Sequence, residues 1–219
     1  MSLNISYLIV FCYSFLIGAV PFGFIIAKLK GVNITKEGSC NVGATNVWRC
    51  VGPKEGILTA VLDGCKGVFA IVITGLYFPY LVPLAMFSSV SGHIFSPALM
   101  FKGGKGVATF VATIALIDPL RASVFLTIWF TVIIVTRYVS LASLVGMCYI
   151  ICSASYRLLV GGMDNVSGSI AISEICTAFL SIIMHSPNIG KLISGKENRL
   201  SFNKLNKINV VNKLNKRRL

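Results

Sequence analysis

Seven apolar stretches follow one another along the chain, at roughly 5–27, 56–77, 81–101, 106–117, 120–136, 139–160 and 169–185. Six of them approach or exceed the length a helix needs to cross a bilayer, ~20 residues. Inside hydrocarbon every backbone N–H and C=O must find its partner within the protein, so such stretches have to be helices. The composition agrees: 55% of the 219 residues are hydrophobic and 12% are charged, whereas a soluble domain carries about 25% charge. Mean hydropathy is +0.82. A soluble enzyme, a disordered tail protein and a collagen-like chain are thereby excluded. The expected fold is an all-α polytopic membrane protein with seven transmembrane helices, one of them short.

The short one is 106–117. A helix of about 12 residues is about 18 Å long, against a hydrocarbon core of about 30 Å. Either it starts below the membrane surface or it is tucked behind other helices. Irregular backbone at that depth persists only where it lines a polar cavity, which is a first pointer to a site.

Positive charge alternates between the connections. One set holds Lys28, Lys30, Lys36, Arg49 and Lys54, then Lys102 and Lys105, then Arg137, then the tail from Lys191; the other holds little beyond Arg121 and Arg157. The positive-inside rule puts the first set in the cytoplasm, so with seven spans the N-terminus is outside and the C-terminus cytoplasmic. The net charge of +13 is mostly this asymmetry. It suits anionic headgroups, and no nucleic-acid partner is expected. The first apolar run has no Lys or Arg ahead of it and no A-x-A-like cleavage site, so it reads as a retained helix rather than a signal peptide. The seven cysteines, odd in number and without a C-x-x-C, predict neither a disulfide framework nor a thiolate metal site; they read as buried small hydrophobes. The end of the chain is rich in Asn and Lys, with Leu200, Leu205, Ile208, Val211 and Leu214 at three- or four-residue spacing. It reads as a disordered charged tail, with a basic amphipathic surface helix as the alternative.

Four polar stretches lie on the side assigned to the cytoplasm. The first, Gly38 to Arg49, offers Ser39, Asn41, Thr45, Asn46 and Arg49 without one acid, a donor set suited to phosphate. The second, Lys102-Gly103-Gly104-Lys105-Gly106-Val107-Ala108-Thr109, opens the short helix. Glycines there let the backbone aim N–H groups at an anion, and the helix N-terminus adds its positive end. It does not match a Walker A loop, so ATP is not implied. The third is Arg137-Tyr138-Val139-Ser140-Leu141-Ala142-Ser143, and the fourth is His185-Ser186-Pro187-Asn188 with Lys191. Asp63 and Lys66, three apart inside the second span, suit an ion pair or the edge of a polar pocket. His93, inside the third span, reads first as a packed, hydrogen-bonded histidine.

Taken in order, these stretches resemble the motifs of the bacterial acyl-phosphate:glycerol-3-phosphate acyltransferase family of integral membrane enzymes, over about Ser14 to Leu200. The family's G-S-x-N-x-G-A-T-N-x-x-R is similar to Gly38–Arg49. Its G-H-x-F-P followed by F-K-G-G-K-G-V-A-T is similar to Gly92–Thr109, the inner Tyr-Val-Ser-Leu stretch forms its third motif, and His-x-x-Asn-Ile matches from His185. Cys40 stands where glycine is common, Ser96-Pro97 moves the usual proline by one position, and Ser186-Pro187 replaces a more polar pair.

The resemblance implies a membrane-embedded acyltransferase domain over 1–198, with 199–219 as a basic cytoplasmic tail, in the bacterial cytoplasmic (inner) membrane. It implies that glycerol 3-phosphate attacks an acyl phosphate, giving lysophosphatidic acid and inorganic phosphate for phospholipid biosynthesis, without metal or cofactor. Lys105 and Arg49 are then expected to hold phosphates, with Lys102, the Gly103, Gly104 and Gly106 backbone, and Thr109. Asn41, Thr45 and Asn46 would add hydrogen bonds. Ser39, His185, Asn188, Ser140 and Ser143 are expected near the reacting hydroxyl, with either His185 or a substrate phosphate oxygen as the base.

Two rival readings are weaker. An acyl-CoA-dependent enzyme with His-x-x-x-x-Asp is disfavoured, since Ala98 and Gly190 stand five residues beyond the two histidines. A transporter of small organic phosphates would also use a basic cavity beside a broken helix, but no repeat relates the two halves. The charge pattern yields a topology prediction: a reporter fused after Leu219 should be active only in the cytoplasm, and activity confined to the periplasm would contradict it.

Overall fold

The computed structural model describes residues 3–160 and 165–200, all helix and connection; residues 201–219, most of the basic tail, lie outside the described residues. The helices are α1 (Leu3–Gly18), α2 (Phe22–Leu29), α3 (Ala44–Cys50), α4 (Pro53–Tyr77), α5 (Val82–Ile94), α6 (Val107–Ile117), α7 (Pro119–Thr136), α8 (Val139–Val160), α9 (Asn165–Met184) and α10 (Ser186–Ile193). Six segments among the described residues are long and apolar enough to cross a membrane, and α6 is the short apolar helix. The sequence-based fold class therefore holds.

α5 is the centre of the bundle. Of the apolar stretch within Pro79–Leu99 that contains it, 67% is buried, against 22% for α7 at the periphery. Val90, Ile94, Met86, Phe110, Phe125 and Met147 fill the core around it. α1 crosses α5 closely because both present small residues. A Cβ added at Gly18 would collide with the Ser89 backbone, and one at Gly92 with the carbonyl of Phe15. Without water to drive association, such close backbone approach is what holds membrane helices together.

The first span is broken between α1 and α2. Pro21 has no N–H to continue the ladder, and the freed carbonyls need donors at membrane depth. Ser96 Oγ donates to Ala19 O at 2.6 Å and Lys66 Nζ to Val20 O at 2.9 Å. Lys66 also forms the expected ion pair with Asp63 at 2.8 Å. The serine that displaces the usual proline thus caps the break.

The cysteines correct one expectation. Six of the seven are exposed and Cys50 is half-buried. On a membrane helix the outward face meets hydrocarbon, so a small apolar thiol is as well placed there as in a core.

The two arginines of the other side are balanced by Glu174 and Asp118, the latter 3.9 Å from Arg121. Arg121 NH1 donates to both carboxylate oxygens of Glu174, at 2.9 and 2.8 Å, and Arg157 NH2 donates to Glu174 Oε2 at 2.7 Å. Arg121 NH2 also reaches Ser153 Oγ at 2.9 Å. This ties α7, α8 and α9 together at the end remote from the α7–α8 junction. Glu174 is fully buried. Removing one member of a buried ion pair leaves an uncompensated charge and typically costs about 3–5 kcal/mol. Glu174→Ala should therefore destabilise the detergent-solubilised protein by that amount in thermal unfolding; a change within experimental error would contradict it.

Candidate active site

Four chain segments distant in sequence converge at the end of the bundle where α8 begins. Ser140 on α8 lies 17 residues from Arg157, about 25 Å along the helix, so this cluster and the Glu174 cluster occupy opposite ends.

The glycine stretch descends from α5 and returns as α6. Gly103 N donates to Ile94 O at 2.9 Å and Gly104 N to His93 O at 3.1 Å. Two of the N–H groups expected to hold an anion are thus committed to the open C-terminus of α5. This corrects the expected cradle: the donors left are Lys105, Gly106 and the first residues of α6. Gly106 caps α6 with φ 81°, a left-handed conformation that favours glycine. Ser181 Oγ donates to Lys105 O at 2.9 Å and fixes the turn against α9. Lys102 is exposed, and Thr109 is buried against α4 with its hydroxyl unpartnered among the described residues; the structure brings neither into the cluster.

Lys105 Nζ donates a short hydrogen bond to Asn188 Oδ1. Asn188 Nδ2 donates to Glu197 Oε1 at 2.9 Å, and Ser140 Oγ donates to the same oxygen at 3.0 Å. Arg49 NH2 donates to Asn198 O at 3.0 Å, while its Nε is buried without a partner among the described residues. Ser143 turns aside: it accepts from Trp129 Nε1 at 3.2 Å and donates to Val139 O at 3.0 Å. Glu197 was missed by the sequence reading. Its signal was that it is the only acid beyond Glu174 in a strongly basic region. It is buried, and Oε2 has no partner among the described residues.

The first motif builds a loop rather than offering all its donors. Asn46 is buried; its Nδ2 donates to Glu37 O at 3.0 Å and Asn41 O at 2.9 Å, and its Oδ1 accepts from Ser39 N at 2.9 Å. Asn41 Oδ1 accepts from Gly43 N at 2.8 Å. The polar atoms of Asn46 are committed, and the half-buried Ser39 and Thr45 side chains remain for a ligand. Cys40 has φ 58°, which explains why glycine suits this position.

The electrostatics favour an anion. Burial lowers the Lys105 ammonium to about 8; Glu197 opposes the shift, and Arg49 and Lys191 add to it. Burial also lowers Arg49, again opposed by Glu197, but a guanidinium stays charged. His185 is held at about 4 by burial and then by Lys105. Its Nδ1 lies 2.7 Å from Ser181 O. A carbonyl only accepts, so Nδ1 carries the proton and Nε2 is a free acceptor.

The chain matches the family model described as glycerol-3-phosphate acyltransferase over residues 8–195. It belongs to that family. It is 35% identical over 202 residues to the glycerol-3-phosphate acyltransferase of Desulforudis audaxviator, covering 91% of this chain and 98% of that one. Identity to the Thermosipho melanesiensis protein of the same description is 38% over 182 residues, covering 83% and 86%. Among solved structures, the glycerol 3-phosphate form of PlsY (YgiH), an integral membrane glycerol 3-phosphate acyltransferase, superposes with a TM-score of 0.80 at 34% identity, over 93% of this chain and 98% of that one. The lysophosphatidic acid form gives 0.77 at 34% identity, over 90% and 96%. As in PlsY, the fold is an integral membrane one.

Lys105 governs a pH dependence. Its charged form is lost as pH rises through about 8, so affinity for inorganic phosphate should fall above that pH; a bound phosphate raises the lysine and moves the fall upward. Lys105→Arg should stay flat to about pH 10, since a guanidinium does not titrate there. Titration calorimetry across pH checks both, and a fall of equal size in the arginine variant would contradict the assignment.

Proposed function

We propose that this protein transfers a fatty acyl group from acyl phosphate to glycerol 3-phosphate, giving lysophosphatidic acid and inorganic phosphate, in the bacterial inner membrane with its site on the cytoplasmic side. The observation that carries the reading is the convergence of Arg49, Lys105, Asn188 and Ser140 around a single carboxylate, Glu197, with His185 beside Lys105. The cations outnumber the anion there, and both proposed substrates bring phosphate.

In the reaction, a glycerol hydroxyl oxygen attacks the acyl carbonyl carbon and the bond from that carbon to the phosphate oxygen breaks. Phosphate leaves with the electron pair, stabilised by Lys105 and Arg49. His185 Nε2, unprotonated at neutral pH, accepts a hydrogen bond from the hydroxyl and orients it. A base with a pKa of about 4 removes a hydroxyl proton inefficiently. A substrate phosphate, whose second pKa is about 6, is the better destination for that proton. The mixed anhydride is already activated, so positioning and charge stabilisation are the tasks left to the protein.

The same geometry predicts donor selectivity. Phosphate departs as an anion beside Lys105, whereas a thiolate on a pantetheine arm gains less from this cluster in the transition state. Purified protein offered palmitoyl phosphate or palmitoyl-CoA with labelled glycerol 3-phosphate should form lysophosphatidic acid from the first only. Lys105→Ala or Arg49→Ala should lower turnover by about 100- to 1000-fold, the range for losing one donor to an oxyanion. Comparable product from the CoA ester would refute the donor assignment, and near-normal turnover of Lys105→Ala would refute the role of that lysine.

A further inference from the structure

The Asp63–Lys66–His93 group has no part in the reaction as described. It is buried beneath the glycine turn and links three segments. Lys66 Nζ contacts Val20 O at 2.9 Å, His93 Nδ1 at 2.8 Å and Asp63 Oδ1 at 2.8 Å. An ammonium paired with a buried carboxylate donates and cannot accept. His93 Nδ1 is therefore the acceptor, and the ring proton sits on Nε2. His93 Nδ1 also lies 3.5 Å from Asp63 Oδ1.

The other edge of the ring meets the turn. A Cβ added at Gly104 would occupy the place of His93 Nε2. The backbone carbonyl of the same histidine receives Gly104 N at 3.1 Å. Residue 93 thus holds residue 104 from two directions, and Lys105, with its side chain on Asn188, follows immediately. Helix-break capping accounts for the bond from Lys66 to Val20. It does not require an acceptor on His93 or the fit of the ring against a glycine.

We propose that Asp63, Lys66 and His93 are positioning residues: Lys66 fixes the imidazole, the imidazole fixes the path of the Gly103–Gly106 turn, and the turn sets the affinity for one of the two phosphate substrates. The kinetic part rests on the acyltransferase reading; the contact itself does not. Tight packing transmits a displacement of the ring to Lys105, and a misplacement of about 1 Å is enough to cost a bound group much of its contribution.

The test is a double-mutant cycle on the full chain in detergent micelles, using His93→Asn and Gly104→Ala. Asparagine keeps an acceptor for Lys66 and removes the outer half of the ring. Gly104→Ala alone should raise the KM of one substrate, palmitoyl phosphate or glycerol 3-phosphate, by about tenfold, a typical coupling for residues in contact. In the His93→Asn background the same alanine should change KM less than about twofold, since the space it needs is open. Asp63→Asn/Lys66→Met removes both charges together and leaves neither unpaired. It should raise the same KM, with the other KM and kcat nearly unchanged. An equal alanine penalty in both backgrounds would overturn the proposal, as would a fall in kcat with both KM values unmoved. If the wild type turns over no substrate, the acyltransferase reading fails by itself. The unfolding midpoints of the cycle then decide the contact, non-additive shifts supporting it and additive shifts overturning it.

Discussion

Hydrocarbon does not tolerate an unpaired charge, and that constraint orders the whole molecule. At one end two acids, Glu174 and Asp118, face two cations, Arg121 and Arg157. At mid-bundle Asp63 neutralises Lys66, which in turn caps the broken first span. At the other end the balance is left open: Arg49 and Lys105 face Glu197, whose Oε1 accepts from both Ser140 and Asn188. A region that must exclude stray charge yet keeps surplus cations together is suited to a ligand that brings the missing anion.

The spans were legible because apolar run length is a direct consequence of bilayer thickness, and the short stretch at 106–117 became α6 (Val107–Ile117). The donor-rich stretches were legible because glycines and acid-free donor sets are rare on membrane helices. Direction was not legible. Gly103 and Gly104 lie in the turn as expected, yet their N–H groups point back to α5, because the C-terminal carbonyls of a buried helix need donors before any ligand does. Asn46 is consumed for the same reason by the carbonyls of its own loop.

Glu197 was hidden by composition. A lone acid in a basic segment reads as a solvated surface charge, and only the packing of 195–200 back onto the α7–α8 junction buries it. Leu200 N donates to Arg137 O at 2.7 Å, and Arg199 Nε reaches Tyr138 OH at 3.1 Å. Likewise His93 lies on the span after the one that holds Asp63 and Lys66, so spacing alone gave the pair and not the trio. For Cys12, Cys65, Cys148, Cys152 and Cys176, which lie on spanning helices, the expected burial failed because in a membrane the outward face of a helix is apolar too.

The central claim is that the basic cluster receives phosphate as the leaving group of an acyl transfer. Palmitoyl phosphate carrying oxygen-18 in the bridge between carbonyl carbon and phosphorus tests it most directly. Attack at the carbonyl carbon must deliver the label to inorganic phosphate, with unlabelled ester oxygen in lysophosphatidic acid. Label recovered in palmitate, which requires attack at phosphorus, would contradict the account.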